Sequence, residues 1–308
     1  MHWRGEGMHA THENPRGKND MKPRYAIVSP VRDEADHIAK TLGSLVSQTV
    51  LPVEWVIVND GSTDRTGEII DAFAVQYPWI RPVHRENRGF RKSGGGVMEA
   101  FYDGYERLGV REWDFLVKLD GDLSFAPDYF ERCFGEFERN PRLGIGGGGI
   151  YHEIDGRVEI EKTPLFHVRG ATKIYRRACW DDIGGLIKAP GWDTLDEVKA
   201  NMKHWETLSF NELKVMHHRY TGGADGGWKN AVKNGLGAHI SGYHPMFIFF
   251  KSILWTTRKP YFLCSIGLLY GYIRGYLNRV ERVDDPALIQ YIRREQIKRL
   301  LLKDSMWK

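Results

Sequence analysis

The chain has 308 residues, 42% of them apolar, which suffices for one large domain with an appendage or for two small domains. Basic residues number 44 against 40 acidic, a net charge of +4, and no Lys/Arg block interleaved with aromatics occurs, so nothing calls for a nucleic-acid partner. Three widely separated cysteines, Cys133, Cys179 and Cys264, offer no CxxC or Cys/His spacing; they argue against a disulfide framework or zinc site and for reduced thiols in the cytoplasm.

Residues 1–22 are polar and rich in His, Gly and charge, with no signal-peptide-like apolar stretch, and read as a disordered leader. Folding signals begin at Arg24. Tyr25-Ala26-Ile27-Val28 predicts a short buried strand ending in Ser29-Pro30, and 34–48 has helical periodicity, with Ile38, Leu42, Leu45 and Val46 on one stripe. Trp55-Val56-Ile57-Val58 predicts a second strand, followed by the turn Asn59-Asp60-Gly61-Ser62. Thr63 or Asp64 then caps a helix through Ile69, Ile70 and Phe73. A strand over 80–84, a Gly-rich stretch and a helix over 97–108 come next. Phe115-Leu116-Val117 predicts a buried strand that emerges at Lys118-Leu119-Asp120-Gly121-Asp122. This alternation of apolar strands and helices predicts an α/β fold with a Rossmann-like, mostly parallel sheet flanked by helices.

Ligands of such sheets bind beyond the C-terminal strand ends, where Ser29-Pro30, Asn59-Asp60 and Asp120/Asp122 all fall. Asp120 and Asp122, one residue apart on extended chain, point the same way, and two hard oxygen ligands suit Mg²⁺ or Mn²⁺ on a diphosphate. The competing explanation is a solvated Asp-Gly-Asp turn. From Leu143 the run Gly144-Ile145-Gly146-Gly147-Gly148-Gly149 carries too much glycine for an independent strand and implies close backbone approach or a bulge. Further strands are expected over 158–160, 171–175 and 213–217, with a helix starting at Trp192-Asp193-Thr194-Leu195-Asp196-Glu197 and running through Val198, Met202 and Trp205.

Four segments in order, Ser29-Pro30-Val31-Arg32-Asp33-Glu34, Asn59-Asp60-Gly61-Ser62-Thr63-Asp64, Lys118-Leu119-Asp120-Gly121-Asp122 and Trp192-Asp193-Thr194-Leu195-Asp196-Glu197, resemble inverting glycosyltransferase family 2, with its GT-A fold. The resemblance spans roughly residues 24–222. It implies that Pro30, Arg32 and Glu34 line the nucleotide, and that Asp60 accepts a hydrogen bond from the base, commonly N3–H of uracil. Asn59 stands where many members carry another acid. The resemblance further implies that Asp120 and Asp122 form the metal motif, Asp122 the direct ligand, with Mn²⁺ or Mg²⁺ neutralising the diphosphate leaving group. Asp196 and Glu197 match the acidic pair that supplies the catalytic base, with Asp196 slightly preferred; an acidic helix N-terminus favoured by the dipole is the alternative. Several relatives place a metal-ligating His after the base; of His217 and His218 only one can face the metal, and His217 shares a strand face with Leu213 and Val215. Arg219 could pair with phosphate oxygens. Arg88, Arg91 and Lys92, ahead of a Gly-rich helix start, could hold the phosphates, and Trp192 could stack on an acceptor sugar or serve the core.

Residues 1–22, 23–243 and 244–308 are thus expected as leader, GT-A domain and helical C-terminal region. Apolar stretches within 244–277, mixed with Lys and Arg, are too short to span a bilayer and suit interfacial helices on a membrane surface; a packed hairpin or insertion are the alternatives. Gly267, Gly271 and Gly275 make one helix face smooth, and 288–303 is a basic amphipathic helix. The expected activity is metal-dependent transfer of a sugar from a nucleotide-diphosphate donor, UDP-linked by preference, to a hydroxyl of a saccharide or lipid-linked saccharide. The place would be the cytoplasm or the inner face of the membrane. A sugar-phosphate nucleotidyltransferase lacks its Gly-rich first loop here, and a non-catalytic scaffold would not need the acids at 120, 122, 196 and 197.

Overall fold

The computed structural model describes residues 22–89, 95–219, 226–257 and 261–307. Its centre is one nine-stranded sheet of order β3-β2-β1-β4-β8-β6-β9-β5, with β7 on β6. The strands are β1 (Tyr25–Val31), β2 (Glu54–Asn59), β3 (Ile80–His84), β4 (Phe115–Leu119), β5 (Leu123–Phe125), β6 (Leu143–Ile154), β7 (Arg157–Ile160), β8 (Thr172–Arg176) and β9 (Glu206–His217). β1 to β4 run parallel; β1, β2 and β4 are apolar and buried as central parallel strands are, while β3 at the edge is half-exposed. β8 then pairs antiparallel with β4 and with β6, while β6 and β9 run parallel.

Alternate strand residues feed two cores on opposite faces. Tyr25, Ile27, Trp55, Ile57 and Val117 pack under α1 (Ile38–Val46), α2 (Thr66–Gln76) and α4 (Tyr129–Arg139). Ala26, Val28, Val56, Val58 and Leu116 pack under α3 (Gly95–Glu106) and α5 (Arg177–Ile183). The helix expected over 34–48 is shorter because Asp33 takes a left-handed φ of 52° and 34–37 form turns.

The glycine run shows the expected close approach and bulge, within a strand held by its neighbours: β6 lies between β8 and β9 and bulges at Gly148/Gly149. A Cβ on Gly146 would stand 2.7 Å from the Phe210 ring, and one on Gly147 2.8 Å from Val168. Bare backbone is what lets both neighbours close in.

The C-terminal helices are α6 (Trp192–Met202), α7 (Gly226–Ile240), α8 (Pro245–Trp255), α9 (Leu263–Leu277) and α10 (Pro286–Leu300). α7, on the sheet side of residue 243, packs along α9: Cβ atoms on Gly235 or Gly271 would collide with Leu268 and Val232 backbone respectively. The smooth glycine face is therefore a helix–helix contact. α10 begins at Pro286, with Asp285 accepting from Leu288 N (2.9 Å), and buries Leu288 and Ile292 against Leu195 and Val198 of α6. Its apolar side is used in the fold, which leaves only its polar side for any lipid. Among the described residues no helix is long and apolar enough to cross a membrane.

Candidate active site

The C-terminal ends of β1, β2 and β4 open into a cleft of about 320 Å³. Pro30, Arg32 and Glu34 come from the end of β1, Asp60 from β2, and Asp120 and Asp122 from beyond β4; all line it, as do Trp192 and His217. Residues remote in sequence thus meet at one sheet edge, where parallel topology puts them.

The loops around the cleft are tied together by side chains. Ser62 Oγ accepts from Asp33 N (2.9 Å), Asp33 Oδ1 accepts from Thr63 N (2.8 Å), and Asp64 Oδ2 accepts from Ala35 N (3.0 Å). Gly61, at φ 68°, turns the β2 loop where a Cβ would stand 2.8 Å from Asn87 N. Asp60 accepts from Arg85 Nη1 (2.8 Å) and Arg88 Nη2 (2.6 Å). Arg88 also donates to Glu99 (2.7 Å), so it buttresses Asp60 and is not among the residues lining the cleft. Lys92 and Arg91 lie outside the described residues.

Asp120 is paired with Lys118, whose ammonium also donates to Gly170 O (2.6 Å). Asp122 Oδ2 is hydrogen-bonded to His217 Nε2 (3.1 Å), while Asp122 Oδ1 is buried without a hydrogen-bond partner. Burial acts to raise the Asp122 pKa, but the His217 hydrogen bond and the His217 and Arg219 charges outweigh it and hold the carboxyl below its usual range. His218 turns to the other face and bonds Ser124 Oγ (2.8 Å). Of the two histidines, His217 is the one at the cleft. Arg219 bonds Glu34 (2.7 Å) and lies 4.0 Å from Asp122 Oδ2. Among the described residues no group of three His, Cys, Asp or Glu is arranged to hold a metal ion unaided. The unpartnered Asp122 oxygen, with Asp120 and His217 also lining the cleft, could serve as part of a ligand set of the kind that substrate phosphates and water complete.

The acidic pair stands elsewhere than expected. Asp196 and Glu197 are both 0% exposed and do not line the cleft. Lys173 Nζ donates to both Asp196 oxygens (2.9 and 3.0 Å), lies 2.9 Å from Glu197 Oε1, and also donates to the carbonyl of Asp193. Tyr175 donates to Asp196 (2.5 Å), and Glu197 accepts from Val168 N (2.7 Å) and is bonded to His167 (2.9 Å). Burial pushes Asp196 up to about 6 against the pull of Lys173. Burial acts to lower Lys173, but Asp196 and Glu197 hold it above its usual value, as a cation. The acid that does face the cleft is Asp193, one turn earlier on α6, with its side chain 25% exposed and Arg169 Nη1 at 4.0 Å. Trp192 beside it is largely buried, with Lys118 Nζ 5.4 Å and Lys173 Nζ 5.7 Å from a ring centroid, and lines the cavity. Asp193, Lys118 and Arg169 are the charged cleft residues to which the sequence reading gives no role. Asp193 had a signal, standing on the α6 stripe three and four residues before the pair; Arg169 had none.

The family model for glycosyl transferase family 2 matches residues 26–189. The chain is 31% identical over 140 residues to the uncharacterized glycosyltransferase EpsJ of Bacillus subtilis, covering 44% of this chain and 37% of that protein. It is also 31% identical over 121 residues to the chondroitin synthase of Pasteurella multocida, covering 39% and 12%. The chain thus matches well under half the length of these curated relatives. Among solved structures, the mannosyltransferase PcManGT of Pyrobaculum calidifontis, in complex with GDP-Man and Mn²⁺, superposes with a TM-score of 0.52 at 15% identity, over 93% of this chain and 77% of that one. TarS of S. aureus gives 0.51 at 14% identity over 85% and 44%. These likenesses establish the GT-A type fold, and with the match over more than half its length the chain is a glycosyltransferase of family 2.

Proposed function

We propose that this glycosyltransferase moves a sugar from a nucleotide-diphosphate donor, UDP-linked by preference, to a saccharide hydroxyl by a single inverting displacement. The observation that carries this reading is the gathering of Asp60, Asp120, Asp122 and Asp193 around one cleft. Asp60 retains acceptor capacity beside its two arginine bonds, since a carboxylate offers about four lone-pair sites, and so suits a base with a single donor such as uracil. Neighbouring structures were solved with GDP-Man and with UDP-GlcNAc, which supports a nucleotide sugar here.

Asp122, with Asp120 and His217, would hold Mn²⁺ or Mg²⁺; His217 would give up its bond to Asp122 to join. The ion's chemistry there is neutralisation of the leaving diphosphate. Lys118 and Arg219 add positive charge on the same wall. Asp193, not the sealed Asp196/Glu197 pair, takes the proton from the acceptor hydroxyl, because a general base must reach the proton it removes. Trp192, lining the same cavity, would meet the acceptor. The acceptor is a saccharide, lipid-linked or part of a surface polysaccharide.

Thermal shift with a panel of nucleotide sugars, with and without Mn²⁺, tests this. A UDP-sugar should raise the melting temperature only when the metal is present, and Asp122→Ala should remove the effect. A chain that no nucleotide sugar stabilises refutes the donor assignment.

A further inference from the structure

We infer that the outer face of α8 and α9 docks onto an anionic lipid surface. On α8 the apolar side chains Met246, Phe249, Phe250, Ile253 and Leu254 are exposed, at a spacing of three and four that makes one helical stripe. On α9 Leu263, Ile266, Tyr270, Ile273 and Leu277 do the same, Leu254 and Leu277 being 72% and 77% exposed. The inward faces are already taken: Ile248, Leu268 and Tyr272 pack together, and the α9 glycines lie on α7. Ten large apolar side chains on two packed helices are therefore left exposed, the kind of surface that marks an interaction site.

Charge identifies the partner. The described residues within 226–280 carry five Lys or Arg (Lys229, Lys233, Lys251, Arg274 and Arg279) and no Asp or Glu, in a chain with 40 acids. A second copy docked face to face would set these cations against their own kind with no acid within the stretch to relieve them. Anionic headgroups match both properties at once: phosphates for the cations, acyl chains for the stripes. A groove of about 530 Å³ between α7 and α9 is built the same way, with Lys229, Lys233 and Arg274 beside Trp228, Val232 and Tyr270. Pro190 lines that groove, three residues before Asp193, so the groove adjoins the segment that carries the proposed base. The docking does not depend on the sugar-transfer reading, and its test involves no donor.

The test is co-sedimentation of the full chain with phosphatidylcholine vesicles, with and without 30% phosphatidylglycerol, at low and high salt. The chain should bind the anionic vesicles and release as salt screens the charge. Lys229→Glu/Lys233→Glu should weaken binding by at least about 25-fold, about fivefold per cation lost. Leu254→Glu/Ile273→Glu should weaken it at least about tenfold per apolar side chain withdrawn. Both variants alter exposed positions and should melt like the parent. A parent chain that stays in the supernatant at low salt overturns the inference, as does equal binding to neutral vesicles. So does a stable dimer that Leu254→Glu dissociates, which would assign the face to a second copy.

Discussion

Replacing Asp193 by Asn, in parallel with Asp196 by Asn, separates chemistry from architecture on one helix. Asp193 is an open carboxylate whose nearest cation is Arg169 at 4.0 Å, so its charge should contribute no more than about 1 kcal/mol to stability. Its loss as a base should lower the transfer rate about 10²–10⁴-fold, about 3–5 kcal/mol in the barrier, with donor affinity unchanged. Asp196 is sealed against Lys173, and breaking a buried pair costs about 3–5 kcal/mol. The cost here should fall at or below the lower end, because Glu197 still stands 2.9 Å from the ammonium. At about 2 °C of melting temperature per kcal/mol for a chain of this size, Asp196→Asn should melt several degrees lower. Its transfer rate should fall only as far as the start of α6 loosens. The assays are single-turnover transfer, isothermal titration with donor, and thermal unfolding. An Asp193→Asn variant within a fewfold of the parent rate refutes its role; an Asp196→Asn variant with parent melting and no transfer returns the base to the buried pair.

Three further outcomes follow from the same geometry. Asp60→Ala should weaken donor binding about 10–100-fold, the worth of a hydrogen bond to a charged group, and titration with UDP alone should show the same loss. For Asp196, a carboxyl raised from 3.8 to about 6 by folding favours the native state below pH 4, and that contribution is lost as pH rises to about 6. The melting difference between parent and Asp196→Asn should accordingly be largest near pH 4, shrink to several degrees by pH 6 and be flat from 6 to 9; a pH-independent difference contradicts the assignment. Gly271→Leu should force α7 from α9 at a cost of about 1–3 kcal/mol, lowering the melting temperature while titration shows donor affinity unchanged.

β1, β2 and β4 were legible because a central strand buried on both faces is apolar nearly throughout, and Trp55-Val56-Ile57-Val58 is too short for a helix. β6 was not, because glycine carries no pattern: what makes 143–154 a strand is the room its neighbours need, which only Phe210, Val168 and the β9 backbone disclose. α4 had a readable signal in Tyr129, Phe130, Cys133, Phe134 and Phe137, all buried at helical spacing, yet it follows a motif that invites a loop assignment. α10 shows the opposite limit. Its basic amphipathic pattern is the same whether the apolar side meets lipid or protein, and only the position of α6 decides for protein.

The site divides along similar lines. Loop residues at strand ends were legible because parallel topology fixes which edge they occupy, whatever the loop details. His217 was separable from His218 by strand alternation alone. Depth along a helix axis has no such marker. Asp193, Asp196 and Glu197 share one stripe of α6, and the spacing that groups them says nothing about which turn meets water. One turn is about 5.4 Å, the difference between the mouth of a cleft and a buried salt bridge. What resolves it is Lys173, which looks from sequence like a strand residue with a solvated tip. Its ammonium instead lies under α6, bound to Asp196 and Glu197 and to the carbonyl of Asp193. The buried pair thereby holds the backbone that carries Asp193, and on the proposed reading the two acidic turns of the motif serve different ends, one anchoring and one reacting.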